Sequence, residues 1–144
     1  MNKEQALKEI EKLKNNITEL ELIINKPIDL FSIDTYSKVC KKLNEKEYTL
    51  EDFSFLPIED QENILVKTQI RQIEKLFNSK KLDWKDINIK KYYPWFHSDG
   101  GGFCFHGSCC NFSCFHSFVA YYETKEICDF IGKTFIHLYE KLTK

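Results

Sequence analysis

Lys91-Tyr92-Tyr93-Pro94-Trp95-Phe96-His97-Ser98-Asp99-Gly100-Gly101-Gly102-Phe103-Cys104-Phe105-His106 is the stretch that decides the fold. Before it, apolar residues recur at helical spacing; from Tyr92 onward they fall into short runs of period two, the signature of strands. Ser98-Asp99 followed by Gly100-Gly101-Gly102 is a strong reversal signal, since glycine reaches backbone conformations that turns require. Phe103 and Phe105 then alternate with Cys104 and His106, Gly107 to Asn111 reads as a second turn, and Phe112 to Tyr122 as another strand. The expectation is a three-stranded antiparallel β-meander, with strands near 92–97, 103–106 and 113–122. Such a sheet needs a cover for its apolar face.

The cover lies downstream. Thr124 is placed to cap a helix, and Ile127, Phe130, Ile131, Phe135, Leu138 and Leu142 make one face at helical spacing over 124–142. Gly132 interrupts this helix at a cost of about 1 kcal/mol relative to Ala, which points to close contact with the sheet.

Upstream, the pattern is helical throughout. Val66, Ile70, Ile73 and Phe77, widened by Leu65 and Leu76, predict a long helix from about Ile58 to Phe77. Tyr36, Val39, Cys40 and Leu43 predict a short one from about Thr35, capped by Ser32 or Asp34. Thr49-Leu50-Glu51-Asp52 resembles a capping signal for one brief turn. Residues 78–91 read as a polar link anchored by Leu82 and Trp84. In residues 3–25, Ile10, Ile17 and Ile24 occupy one heptad position and Leu13 and Leu20 the other. That seam favours a parallel two-stranded coiled coil; the competing reading is an amphipathic helix on its own core. The expected organisation is therefore α+β: an N-terminal coiled-coil-like oligomerisation helix over 1–26, then a single domain over 27–144. That domain is helical through 27–80, a β-meander over 92–122 and a C-terminal helix over 124–142.

Composition bounds the function. With 144 residues, the chain can bury roughly 68–70% of its unfolded surface and needs neither disulfides nor metal to fold. The net charge is −1 and Arg71 is the sole arginine, which argues against sequence-specific nucleic-acid binding. No apolar run approaches the roughly 18 residues that span a bilayer, and the charged N-terminus has no secretory pattern. The expected location is cytoplasmic, with the six cysteines reduced.

Two clusters carry potential chemistry. Cys104-Phe105-His106 and Cys114-Phe115-His116 each present a thiol and an imidazole at alternate positions, on one face if extended. Together they are candidates for a tetrahedral zinc site at Cys104, His106, Cys114 and His116, with Cys109 and Cys110 as substitutes. The spacing is not that of a zinc finger, and packing of thiols and imidazoles among aromatics explains it as well. A catalytic Cys–His centre, oriented by Asp99 or Asn111, lacks the strand-to-helix elbow that exposes a nucleophile. The glycine run has no Gly-Lys-Ser/Thr ending, so a hairpin explains it better than a phosphate loop. Glu51-Asp52 and Glu59-Asp60 sit at helix starts, where the dipole favours them. No enzymatic centre is expected.

The second cluster is the aromatic segment. Lys90, Lys91, Tyr92, Tyr93, Trp95, His97 and Phe105 are candidate ligand-binding residues: rings to stack on a base, lysines to meet phosphate. The same rings could equally be core.

Lys91-Tyr92-Tyr93-Pro94-Trp95-Phe96, the glycine-rich turn, Gly102-Phe103-Cys104-Phe105, and Ile131-Gly132-Lys133-Thr134-Phe135-Ile136-His137-Leu138-Tyr139 together resemble a family of small uncharacterised phage and prophage proteins. Tyr36-Ser37-Lys38-Val39-Cys40-Lys41 and Ile73-Glu74-Lys75-Leu76-Phe77-Asn78 fit its helical part, so the resemblance spans roughly residues 30–142. Ile131 stands where the family has alanine, and the Cys/His cluster is outside its pattern. The resemblance implies a phage accessory protein in the host cytoplasm; taken with the heptad seam and the aromatic segment, the leading expectation is a homo-oligomeric, non-enzymatic binding protein, which by analogy with other small phage proteins would counter host defence by sequestering a nucleotide-type immune signal. The alternative expectations are a module that inhibits a host protein or serves the phage particle and, from the Cys/His residues themselves, a small zinc-binding module.

Overall fold

A computed structural model describes residues 5, 9–17, 29–79, 82, 86, 88–99, 102–111 and 120–143. The chain divides into two units, Met1–Leu30 and Phe31–Lys144.

In the first unit, residues 9–17 form helix α1. Ile10, Leu13 and Ile17 of the heptad seam are all about half exposed; Leu20 and Ile24 lie outside the described residues. Over residues 9–17 the expected helix is present.

The second unit begins with helix α2, Tyr36–Leu43. Its cap is Thr35, whose hydroxyl accepts from the Lys38 amide, and it ends at Asn44 in the left-handed conformation. The capping expected of Ser32 or Asp34 gives way to an ion pair between Asp34 and Lys38 at 2.7 Å. A 3-10 turn at Leu50–Phe53 follows, with the Thr49 amide donating to Asp52 at 2.8 Å as the sequence suggested.

Helix α3, Ile58–Phe77, has the predicted bounds and buries Leu65, Val66, Ile70, Ile73 and Phe77. Gln72 is also buried, and a buried amide must find partners. It accepts from the Tyr36 hydroxyl, and it donates to Glu45 and the Lys46 carbonyl at 3.1 Å each. This one side chain ties α2 and the loop after it to α3.

Strands β1, Lys91–Asp99, and β2, Gly102–Asn111, form an antiparallel hairpin. Asp99 faces Gly102, which closes the ladder at the predicted glycine turn. The expected second turn at Gly107–Asn111 is instead strand. Gly107, at φ +157°, forms part of a bulge: Trp95 pairs with Gly107 and Phe96 with Phe105, leaving His106 as the extra residue. A bulge shifts the in/out alternation of a strand by one position. Phe103 and Phe105 share one face before it, and Ser108 takes up that same face after it. Accordingly, the Ser108 hydroxyl donates to Asp129 on the covering helix.

Among the described residues the sheet has two strands of the expected meander. Residues 112–119 of the expected third strand lie outside the described set. Its last residue, Tyr122, exchanges two backbone hydrogen bonds with Tyr92, at 2.9 and 2.7 Å. The segment around Tyr122 is held by the end of α3. Asn78 donates to the Tyr121 carbonyl at 2.7 Å and accepts from the Glu123 amide at 3.0 Å, while the Tyr121 amide donates to Glu74 at 3.0 Å.

The single C-terminal helix is corrected to two: α4, Lys125–Thr134, capped by Thr124 as predicted, and α5, Ile136–Lys141. The break falls at Phe135, whose φ of −107° and ψ of 21° leave the helical region. It divides the work of the apolar stripe. Helix α4 packs on both strands, whereas α5 packs on α3, and Phe135 is buried completely.

Candidate functional site

The two faces of the hairpin differ in kind. Its inner face is fixed by aromatic packing: Phe96 stacks on Phe103 at 5.0 Å, meets Phe105 edge-on at 5.8 Å and lies 4.8 Å from the ring of Tyr139 in α5. Phe105 rests on Gly132 of α4, where an added Cβ would stand 2.2 Å from the ring. The absence of a side chain at Gly132 thus admits the Phe105 ring, the close contact its position predicted. Phe105, a candidate ligand residue by sequence, is a packing residue.

The outer face is open. Trp95 is 49% exposed, and His97 and His106 are exposed. The two imidazoles stand edge to face, 5.2 Å between centres and perpendicular. Cys104, opposite His97 in the ladder, is partly exposed. Thus Trp95, His97 and His106 gather at the tip half of the hairpin, carried on strands rather than on a loop. Their backbone is held from behind by the Phe96–Phe105–Gly132 contact.

The other candidates are placed differently. Lys91, expected to meet phosphate, is fully buried. Its ammonium donates to the carbonyls of Asp86 at 2.7 Å and Ile89 at 3.0 Å, the compensation a buried cation requires. Lys90 beside it is exposed, Tyr92 is half-buried, and Tyr93 packs edge-on against Tyr121 at 5.6 Å. Of the zinc set, Cys104 and His106 share the open side of β2, while Cys114 and His116 lie outside the described residues. Among the described residues no group of three or more His, Cys, Asp or Glu is gathered to hold a metal ion.

The buried titratable groups serve packing. Burial pushes the Cys128 thiol up to about 12, so it is no nucleophile near neutral pH. The hydroxyls of Tyr122 and Tyr139 face each other at 3.1 Å, and burial raises both well above the usual phenol value. Among the described residues, no helix is long and apolar enough to cross a membrane.

Sequence reasoning missed the pairing of His97 with His106. The signal was Gly107: an isolated glycine inside an alternating run marks a bulge, and the bulge is what leaves His106 outside the regular ladder.

In comparisons with known proteins, the chain matches no family model, no curated relative and no solved structure.

Proposed function

We propose that this chain is a non-enzymatic binding protein of the phage accessory type, self-associating through α1 and presenting the outer face of its hairpin to a nucleotide-type ligand in the host cytoplasm. The observation that carries this reading is Trp95, a large ring left half-exposed on a strand whose opposite face is packed. A rigid, partly exposed aromatic is a ready stacking platform for a base. The half-exposed Ile10, Leu13 and Ile17 give α1 its reason to pair.

The test is fluorescence and thermal-shift titration of the full chain with cyclic dinucleotides and ADP-ribose derivatives. Binding should weaken as salt rises and be lost in Trp95→Ala. The same affinity in Trp95→Ala refutes the site. For assembly, Leu13→Lys with Ile17→Lys should convert the oligomer to a monomer in light scattering; a wild-type monomer refutes self-association.

A second reading, a module that blocks a host protein, is favoured by a separate observation. Phe55 and Ile58, at the entry to α3, are 79% and 84% exposed, and Leu50 is 49% exposed. Exposed apolar residues that join into one patch mark interaction surfaces. Capture of one host protein by the wild type, lost in Phe55→Asp with Ile58→Asp and kept in Trp95→Ala, would establish it over the nucleotide reading.

A further inference from the structure

We propose that His97 and His106 form a cross-strand two-imidazole site for a borderline divalent cation such as Zn²⁺, Ni²⁺ or Cu²⁺. The assignment does not depend on the nucleotide reading, because it concerns the metal alone.

The argument is geometric. A zinc ion about 2.0–2.1 Å from a ring nitrogen lies about 3.2 Å from the ring centre, so two imidazoles sharing it tetrahedrally have centres about 5 Å apart. The His97 and His106 centres are 5.2 Å apart. The present edge-to-face arrangement changes by rotation about the outer side-chain torsions, which are broad for histidine. Both side chains are exposed, so the rotation displaces nothing from the core.

The backbone is already in place. His97 sits in a regular pair with Cys104, and His106 is the bulged residue beside it. The bulge fixes their diagonal approach, and the packed inner face keeps the two strands from sliding. A ligand pair held on strands forfeits less entropy on binding than one held on loops. Neutral imidazole is the ligand these cations share, while Mg²⁺ and Ca²⁺ prefer oxygen. With two protein ligands, the remaining positions fall to water or to an anion. The site differs from the one expected from the sequence, which paired His106 with Cys104, Cys114 and His116.

The experiment is equilibrium dialysis of the chelator-treated full chain against Zn²⁺ and, separately, Ni²⁺, with Mg²⁺ as comparison. One equivalent of Zn²⁺ or Ni²⁺ should bind and Mg²⁺ should not. His97→Asn and His106→Asn should each weaken binding at least tenfold, with circular dichroism unchanged. Cys104→Ser and the double variant Cys114→Ser/His116→Asn should keep the affinity within twofold. As a second readout, Cu²⁺ should quench Trp95 fluorescence, measured as the difference from Trp95→Phe, and His97→Asn should abolish that quenching. Wild-type affinity in either histidine variant, loss of binding in either cysteine-containing control, or no binding by the wild type would each overturn the assignment.

Discussion

The two faces of one hairpin are built from neighbouring residues and meet opposite fates. Phe96 is locked among Phe103, Phe105 and Tyr139, while Trp95 before it and His97 after it stand exposed. The difference teaches that aromatic richness alone does not mark core or surface; position relative to the pleat does. It also separates what stabilises this protein from what is free to bind. Substitutions on the inner side and in the elements covering it should cost stability. Substitutions at the exposed outer residues Trp95, His97 and His106 should cost binding alone.

The largest expected effect is on the covered side. Phe135→Ala removes a completely buried ring at the joint between α4 and α5 and should cost about 3–5 kcal/mol, read from urea denaturation. Trp95→Ala should stay within about 0.5 kcal/mol of wild type in the same measurement. Comparable losses in the two variants would erase the distinction between faces.

Next is Lys91→Met, which leaves the Asp86 and Ile89 carbonyls without their ammonium donor and should cost about 1–3 kcal/mol. An unchanged denaturation midpoint would return Lys91 to the candidate binding residues. Gly132→Ala should be milder. The Phe105 ring must move, an overpacking cost of about 1–3 kcal/mol, offset in part by about 1 kcal/mol of helix propensity. Adding Phe105→Leu should relieve the clash, so that the double variant loses less than the two single losses combined.

The smallest effect concerns acid. Burial alone would raise the Asp129 carboxyl, but hydrogen bonds from Lys125 and Ser108 bring it below its usual value. A carboxylate with a lowered folded value contributes stability above its unfolded value, and that contribution disappears as pH falls through the folded one. The clasp between β2 and α4 should thus be intact at neutral pH and weaken below about pH 4. Asp129→Asn should be slightly less stable than wild type at pH 7, and the gap should close near pH 3. A gap that persists at pH 3 would assign the effect to packing.

Much of the fold was legible because long-period signals survive tertiary context. The bounds of α3, the Thr124 cap and the contact at Gly132 all followed from apolar spacing and helix chemistry. The errors fell where a single residue decides between two backbone paths. Gly107 is equally at home in a turn and in a bulge, and only the pairing of Tyr93, Pro94 and Trp95 with Cys109, Ser108 and Gly107 tells which. The break at Phe135 has no local breaker; it accompanies a change of main partner, from the two strands for α4 to α3 for α5. The candidate site was legible as a segment, not as a face. Alternation put Trp95 and His97 on one side, but nothing local revealed that Lys91, also on that side by parity, would be enclosed by the carbonyls of Asp86 and Ile89.

That enclosure bears on the order of assembly. The acceptors lie five and two residues before the lysine, so the cation and the dipoles that quench it can meet by closing a very short loop, at small entropic cost. The ammonium can arrive at its burial place already solvated by its own chain, and the hairpin need never carry a bare charge into the protein interior.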